Sequence, residues 1–232
     1  RTAYGGLTAS LLHEAIVNSY TDLPPLRTVQ INFVGPTDGK LQISHKMLRR
    51  GKNNVTFEAH LDSDAGPGTY GYFTFGISRQ MTQEIDYPKH PLSVKPQMGK
   101  KLIPHNAAPN FLTNFDRIHA TGPELLSGSD NPDITVWSRH VDPYSHEGVT
   151  ALIALTDAPP AALTALTQLN ALSSMNWNIN MLSDNPTTEN GWFLLRTATK
   201  YIRHGYSSQE MQVWNNDGDR IMDCIQHIAI FT

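Results

Sequence analysis

The chain has 232 residues, 39% of them hydrophobic and 17% charged, with a formal net charge of -3. That balance describes a globular protein of one large or two small domains and excludes a disordered or fibrous chain. The 18 Lys and Arg are outnumbered by 21 acids, and the densest basic run, Arg49-Arg50-Gly51-Lys52, is too short to track a phosphate backbone, so nucleic acid is not an expected partner.

In chain order, Tyr4-Gly5-Gly6 reads as a turn, followed by apolar residues at Leu7, Leu11 and Ala15 with Leu12 and Ile16 alongside, the spacing of an amphipathic helix. Asp22-Leu23-Pro24-Pro25 ends it, because proline lacks an amide proton and restricts the residue before it. Strands are predicted over 28–34, 41–48, 54–61 and 70–78, separated by clusters of Gly, Pro, Asn and Asp. From 88 to 109 the composition shifts to Pro, Lys, His and Asn without periodicity, the signature of a linker. Two more strands are expected over 110–120 and 134–140.

The opening pattern then returns. Gly148-Val149-Thr150-Ala151 starts an apolar helical run as Gly6-Leu7-Thr8-Ala9 does, and Ile179-Asn180-Met181 echoes Ile31-Asn32-Phe33. This implies an internal duplication of a helix packed on a curved antiparallel sheet: a first unit over 1–87, a linker over 88–109 and a second unit over 110–232. The second helix should stop near Asp157, ahead of Ala158-Pro159-Pro160, with a further helical segment carrying Leu163, Leu166, Leu169 and Leu172 to a corner at Ser173-Ser174.

Cys224 is the only cysteine, so no disulfide and no thiolate zinc cluster can form within one chain, and a reducing, cytoplasmic setting is expected. No run approaches the length of a membrane helix and no secretory leader is visible. The ten histidines show no pairing with a carboxylate on one helix turn, so no metal site is expected. Asn215-Asn216-Asp217-Gly218-Asp219 has the flavour of a calcium loop but lacks the closing glutamate, and reads as a hairpin turn.

The combination Trp137-x-Arg139, Asp142-Pro143-Tyr144-Ser145-His146, Ala154-Leu155-Thr156-Asp157, Ser174-Met175-Asn176-Trp177-Asn178 and Asp223-Cys224-Ile225-Gln226 resembles the second half of the type II acyl-CoA thioesterases of the thioesterase-like superfamily. Tyr4-Gly5-Gly6, Gly35-Pro36 and Leu48-Arg49-Arg50-Gly51-Lys52 match its first half. The resemblance implies an α+β double hotdog fold, hydrolysis of an acyl-CoA thioester to free acid and coenzyme A, no cofactor, and a homo-oligomer. The family has a strand before its first helix, so the chain as given is expected to lack its first strand. The resemblance also implies that Asp157, Ser174 and Gln226 hold and activate the attacking water. It departs from the family at Asn176-Trp177, where an Asp-His pair is common.

The residues support this chemistry on their own terms. Asp157 lies among Ile153, Leu155 and Ala158, where desolvation and a helix carboxyl end would both raise its pKa towards that of a useful base. The competing reading of Asp157 is a helix N-cap for the segment beyond the prolines. Gln226 interrupts an otherwise apolar strand containing Met222, Cys224, Ile228 and Ile230, and a buried amide requires partners. Backbone amides near Gly5-Gly6 are candidates for polarising the carbonyl, and Trp177 for lining an acyl channel. Two alternatives stand beside hydrolysis: a hydratase or dehydratase using Asp142 and His146, and a non-catalytic acyl-CoA-binding protein.

Overall fold

The computed structural model describes residues 2–91, 93–102, 108–157 and 160–232. A first helix, α1 (Gly5–Ser19), precedes four strands, β1 (Leu26–Phe33), β2 (Leu41–Arg50), β3 (Asn54–Ser63) and β4 (Gly66–Gly76). The chain then adds β5 (Lys100–Lys101), β6 (Phe115–Thr121), β7 (Asp133–His140), α2 (Val149–Thr156) and α3 (Ala162–Ala165). It closes with β8 (Ala171–Met181), β9 (Phe193–Arg203), β10 (Tyr206–Trp214) and β11 (Arg220–Phe231). The strands form one sheet in the order β2-β3-β4-β1-β8-β11-β10-β9-β7-β6-β5.

The duplication is legible in that order. From the central pairing of β1 with β8, where Gln30 stands opposite Asn178, the sheet runs outward as β4-β3-β2 on one side and β11-β10-β9 on the other. Alternation sets which side chains point inward: Val55, Phe57, Ala59 and Leu61 of β3 are buried, as are Met211 and Val213 of β10. They join Leu12 and Ile16 of α1 and Leu152, Ile153 and Leu155 of α2 in one core. The two helices also pack on each other, which makes the end of one a neighbour of the start of the other.

The structure corrects three expectations. Residues Asn110–Asn114 form a 3-10 turn, and the strand starts only at Phe115. The helical segment after Asp157 is a single turn, because the carbonyls of Leu163, Thr164 and Leu166 accept from the amides of Leu126, Ser129 and Gly128 instead of continuing a helix. Ser173 and Ser174 therefore lie inside β8, and Leu166, Leu169 and Leu172 pack on Ile228 and Ile230. Helix α2 stops at Thr156, as expected near Asp157, and Ala158 and Pro159 lie outside the described residues.

Described parts of the stretch from 88 to 109 lie against the second half of the sheet. The His90 amide donates to the Gly218 carbonyl and Trp137 Nε1 to the Val94 carbonyl at 2.7 Å, and β5 pairs with β6 at the sheet edge. The 215–219 segment is the turn between β10 and β11, with Asn215 Oδ1 accepting from the amides of Asp217 and Asp219 and Gly218 at φ 83°.

Candidate active site

Asp157 is the residue at which α2 ends, with a non-helical backbone at φ -70°, ψ 68°. Its carboxylate points to the start of α1. That helix has no side-chain cap on its first turn, so its leading amides need acceptors, and the Gly6 N–H donates to Asp157 Oδ2 at 2.8 Å. Asp157 therefore does not cap the segment beyond the prolines, since α3 begins after Ala161 with no side-chain cap; it serves the first unit's helix instead. The approach demands a glycine: a Cβ on Gly6 would stand 2.8 Å from the Ala154 carbonyl oxygen and 2.8 Å from Asp157 Cβ. The Gly6 amide, a candidate for polarising a substrate carbonyl, is occupied by Asp157.

The three residues singled out from the sequence converge. Gln226 Nε2 donates to Asp157 Oδ1 at 3.1 Å and to Ser174 Oγ at 3.0 Å. Ser174 comes from β8 and Gln226 from the adjacent β11, and the register shift between His227 and Ile228 lies beside them. Gln226 is fully buried, whereas Asp157 and Ser174 are half-buried residues.

Gln209, which the sequence reading overlooked, sets the amide's orientation. It is 1% exposed on β10 directly opposite Gln226; its Nε2 donates to Gln226 Oε1 at 2.7 Å, and its Oε1 accepts from the Ala161 amide at 3.0 Å. A backbone N–H can only donate, so the chain from Ala161 through Gln209 forces Gln226 to present Nε2 to Asp157 and Ser174. The available signal was a glutamine at an inward position between buried Ser207 and Met211.

Burial raises the Asp157 pKa above the ordinary carboxylate value, opposed by the hydrogen bonds from Gln226 and Gly6 and by the charge of Arg117. Tyr4, whose hydroxyl donates to the Ala154 carbonyl at 3.2 Å, has its own ionisation pushed up by burial and by Asp157. Trp177 is closed to solvent in the main core, opposite Gln226 and Ile31, and so lines no open channel. Asp142 and His146 do not converge: Asp142 accepts from the Tyr144 amide at 3.1 Å and His146 bonds the His140 carbonyl at 2.9 Å. No group of His, Cys, Asp and Glu among the described residues is arranged to hold a metal ion, and no described helix is long and apolar enough to cross a membrane.

Similar architectures occur in solved structures. A hot dog fold protein of unknown function from Alicyclobacillus acidocaldarius superposes with a TM-score of 0.86 at 19% identity, over 100% of this chain and 88% of that one. The tesB protein of Mycobacterium avium subspecies paratuberculosis gives 0.76 at 13% identity, covering 100% and 88%. The acyl-CoA thioesterase II TesB2 of Mycobacterium marinum gives 0.73 at 13%, covering 99% and 90%. At these identities the likeness speaks for the double hotdog fold. A search of curated proteins returned no match. The sequence itself matches the model of the acyl-CoA thioesterase N-terminal domain over residues 1–76 and that of the C-terminal domain over residues 88–230. With both domain models matched in tandem, the chain belongs to the acyl-CoA thioesterase family, whose members are thioester hydrolases.

Proposed function

We propose that this thioesterase hydrolyses its acyl-CoA with Asp157 as general base, and with Ser174 and Gln226 positioning the attacking water, Ser174 through its hydroxyl and Gln226 by fixing the other two side chains. The observation that carries the reading is the sharing of one amide, Gln226 Nε2, between Asp157 Oδ1 and Ser174 Oγ. Because Ser174 Oγ accepts from that amide, its own hydrogen is free to orient a water placed against the Asp157 carboxylate. Asp157 takes a proton from this water as its oxygen forms a bond to the thioester carbon. Collapse of the tetrahedral intermediate breaks the C–S bond, and the proton on Asp157 passes to the departing sulfur, giving the free acid and the coenzyme A thiol. The steps use only water and side chains of this chain.

The pH profile tests the base directly. A base works only when ionised, and burial has raised the pKa of Asp157, so kcat/KM should fall on the acid side at a pH above the range of an exposed aspartate, about 3.9. Release of coenzyme A from acyl-CoAs of increasing chain length, followed with a thiol reagent across pH, gives both substrate range and limb. Absence of release from every acyl-CoA, or a flat profile down to the exposed-aspartate range, contradicts the proposal.

Gly6→Ala checks the contact between the two units. Alanine improves helix propensity by about 0.5–1 kcal/mol, but the added methyl must force α1 away from Ala154 and Asp157, and overpacking of this kind costs about 1–3 kcal/mol. The clash wins. Thermal unfolding should show a net loss of stability, and turnover should fall about tenfold or more as the carboxylate loses its amide partner.

A further inference from the structure

Strands β6 and β7 pair with Arg117 opposite Ser138, which puts the two side chains on one face of the sheet. It is the inner face, since Phe115 and Val136, each two residues earlier on its strand, belong to the main core. Arg117 is 5% exposed and Ser138 fully buried, and Arg117 Nε and Nη2 and Ser138 Oγ have no hydrogen-bond partner among the described residues. Buried donors without partners are costly, more so when charged, so three on one cross-strand pair call for a reason. The guanidinium lies over the Phe115 ring, 5.2 Å from its centroid. It is close enough to Asp157 and Tyr4 for their charges to act on it, yet the hydrogen bonds that Asp157 accepts come from Gly6 and Gln226. A plain counter-ion would bond to its carboxylate; Arg117 keeps Nε and Nη2 unpaired, while its Phe115 platform meets Tyr4 edge-on at 5.9 Å, and Tyr4 bonds the end of α2 at Ala154.

We propose that Arg117 and Ser138 form the carbonyl-oxygen subsite of this enzyme: their donors receive the thioester oxygen as it becomes an oxyanion and then the carboxylate of the released acid. The proposal rests on the reading that hydrolysis takes place beside Asp157. Fixed donors in a buried site stabilise charge that appears only during reaction, and a guanidinium fork matches both oxygens of a carboxylate. Burial lowers the Arg117 pKa to about 10, so the group stays cationic at neutral pH.

Binding of straight-chain carboxylates and their matching alcohols, measured by calorimetry at pH 8, tests the subsite without any turnover. The wild-type protein should prefer the carboxylate about tenfold or more, as a charge-assisted pair requires. Arg117→Met should abolish that preference while leaving alcohol affinity unchanged, Arg117→Lys should keep part of it, and Ser138→Ala should weaken the carboxylate alone. Asp157→Asn separates this inference from the hydrolytic one, because it removes the base and keeps the carboxylate preference. Equal binding of acid and alcohol by the wild type, or a preference that survives in folded Arg117→Met, overturns the subsite.

Discussion

Asp157→Asn should lower coenzyme A release by about 10²–10⁴-fold, the usual contribution of a positioned general base, with the loss in kcat rather than KM, as removal of a group that acts only in the transition state requires. The substitution is close to isosteric. The new carboxamide can still accept from the Gly6 amide through its oxygen, but its NH2 group then faces Gln226 Nε2, donor against donor. The fold should survive, since the core residues around the site are untouched. Stability provides a second readout with a defined sign. The folded-state pKa of Asp157 is raised, so protonated Asp157 favours the folded state, and that contribution is present at low pH and lost as pH rises through the folded pKa. The asparagine variant has no such titration. Its melting temperature relative to wild type should therefore climb from acid to neutral pH, whatever the fixed cost of the donor clash. A difference that stays level across that window would mean Asp157 is not desolvated as described.

Gln226→Leu should be the second most damaging change, for two separable reasons. Removing the amide frees Asp157 and Ser174 from their shared donor, and turnover should fall about 10–100-fold as the water loses its fixed site. The Gln226 hydrogen bond also lowers the Asp157 pKa, so in the variant the acid limb should move further up in pH. The stability cost arises elsewhere: Gln209 Nε2 loses its acceptor in a fully buried position, worth about 1–3 kcal/mol. Denaturant unfolding should show that loss, and the Gln209→Leu, Gln226→Leu pair should lose less than the sum of the single changes, as expected for residues in one hydrogen-bonded network.

Much of this site could be read from the residues before any coordinates, for a physical reason. Strand alternation in β3 and the repeated Gly-x-Thr-Ala helix starts at Gly6 and Gly148 are local patterns, and they announce the elements that bring α1 and α2 together. Asp157, Ser174 and Gln226 stood out through motif resemblance and, for Gln226, through polarity in an apolar strand. The stretch from Leu163 to Leu172 misled because leucine spacing suits a helix, while the deciding fact is tertiary: segment 126–129 takes the carbonyls such a helix would use. Gln209 and Arg117 escaped notice because their meaning depends on cross-strand neighbours, Gln226 and Ser138 respectively, and the register of two strands is not written in either strand alone. The exchange between units, in which Asp157 of one half caps the helix of the other, is likewise a product of helix packing.

Single-turnover hydrolysis in water enriched in oxygen-18 bears most directly on the role given to Asp157. If the carboxylate only withdraws a proton from water, the heavy oxygen enters the released acid in the first turnover and the peptide containing Asp157 keeps its natural mass. Heavy oxygen recovered in Asp157, with the first equivalent of acid unlabelled, would show that the carboxylate itself attacks the thioester and would contradict the water-activation mechanism.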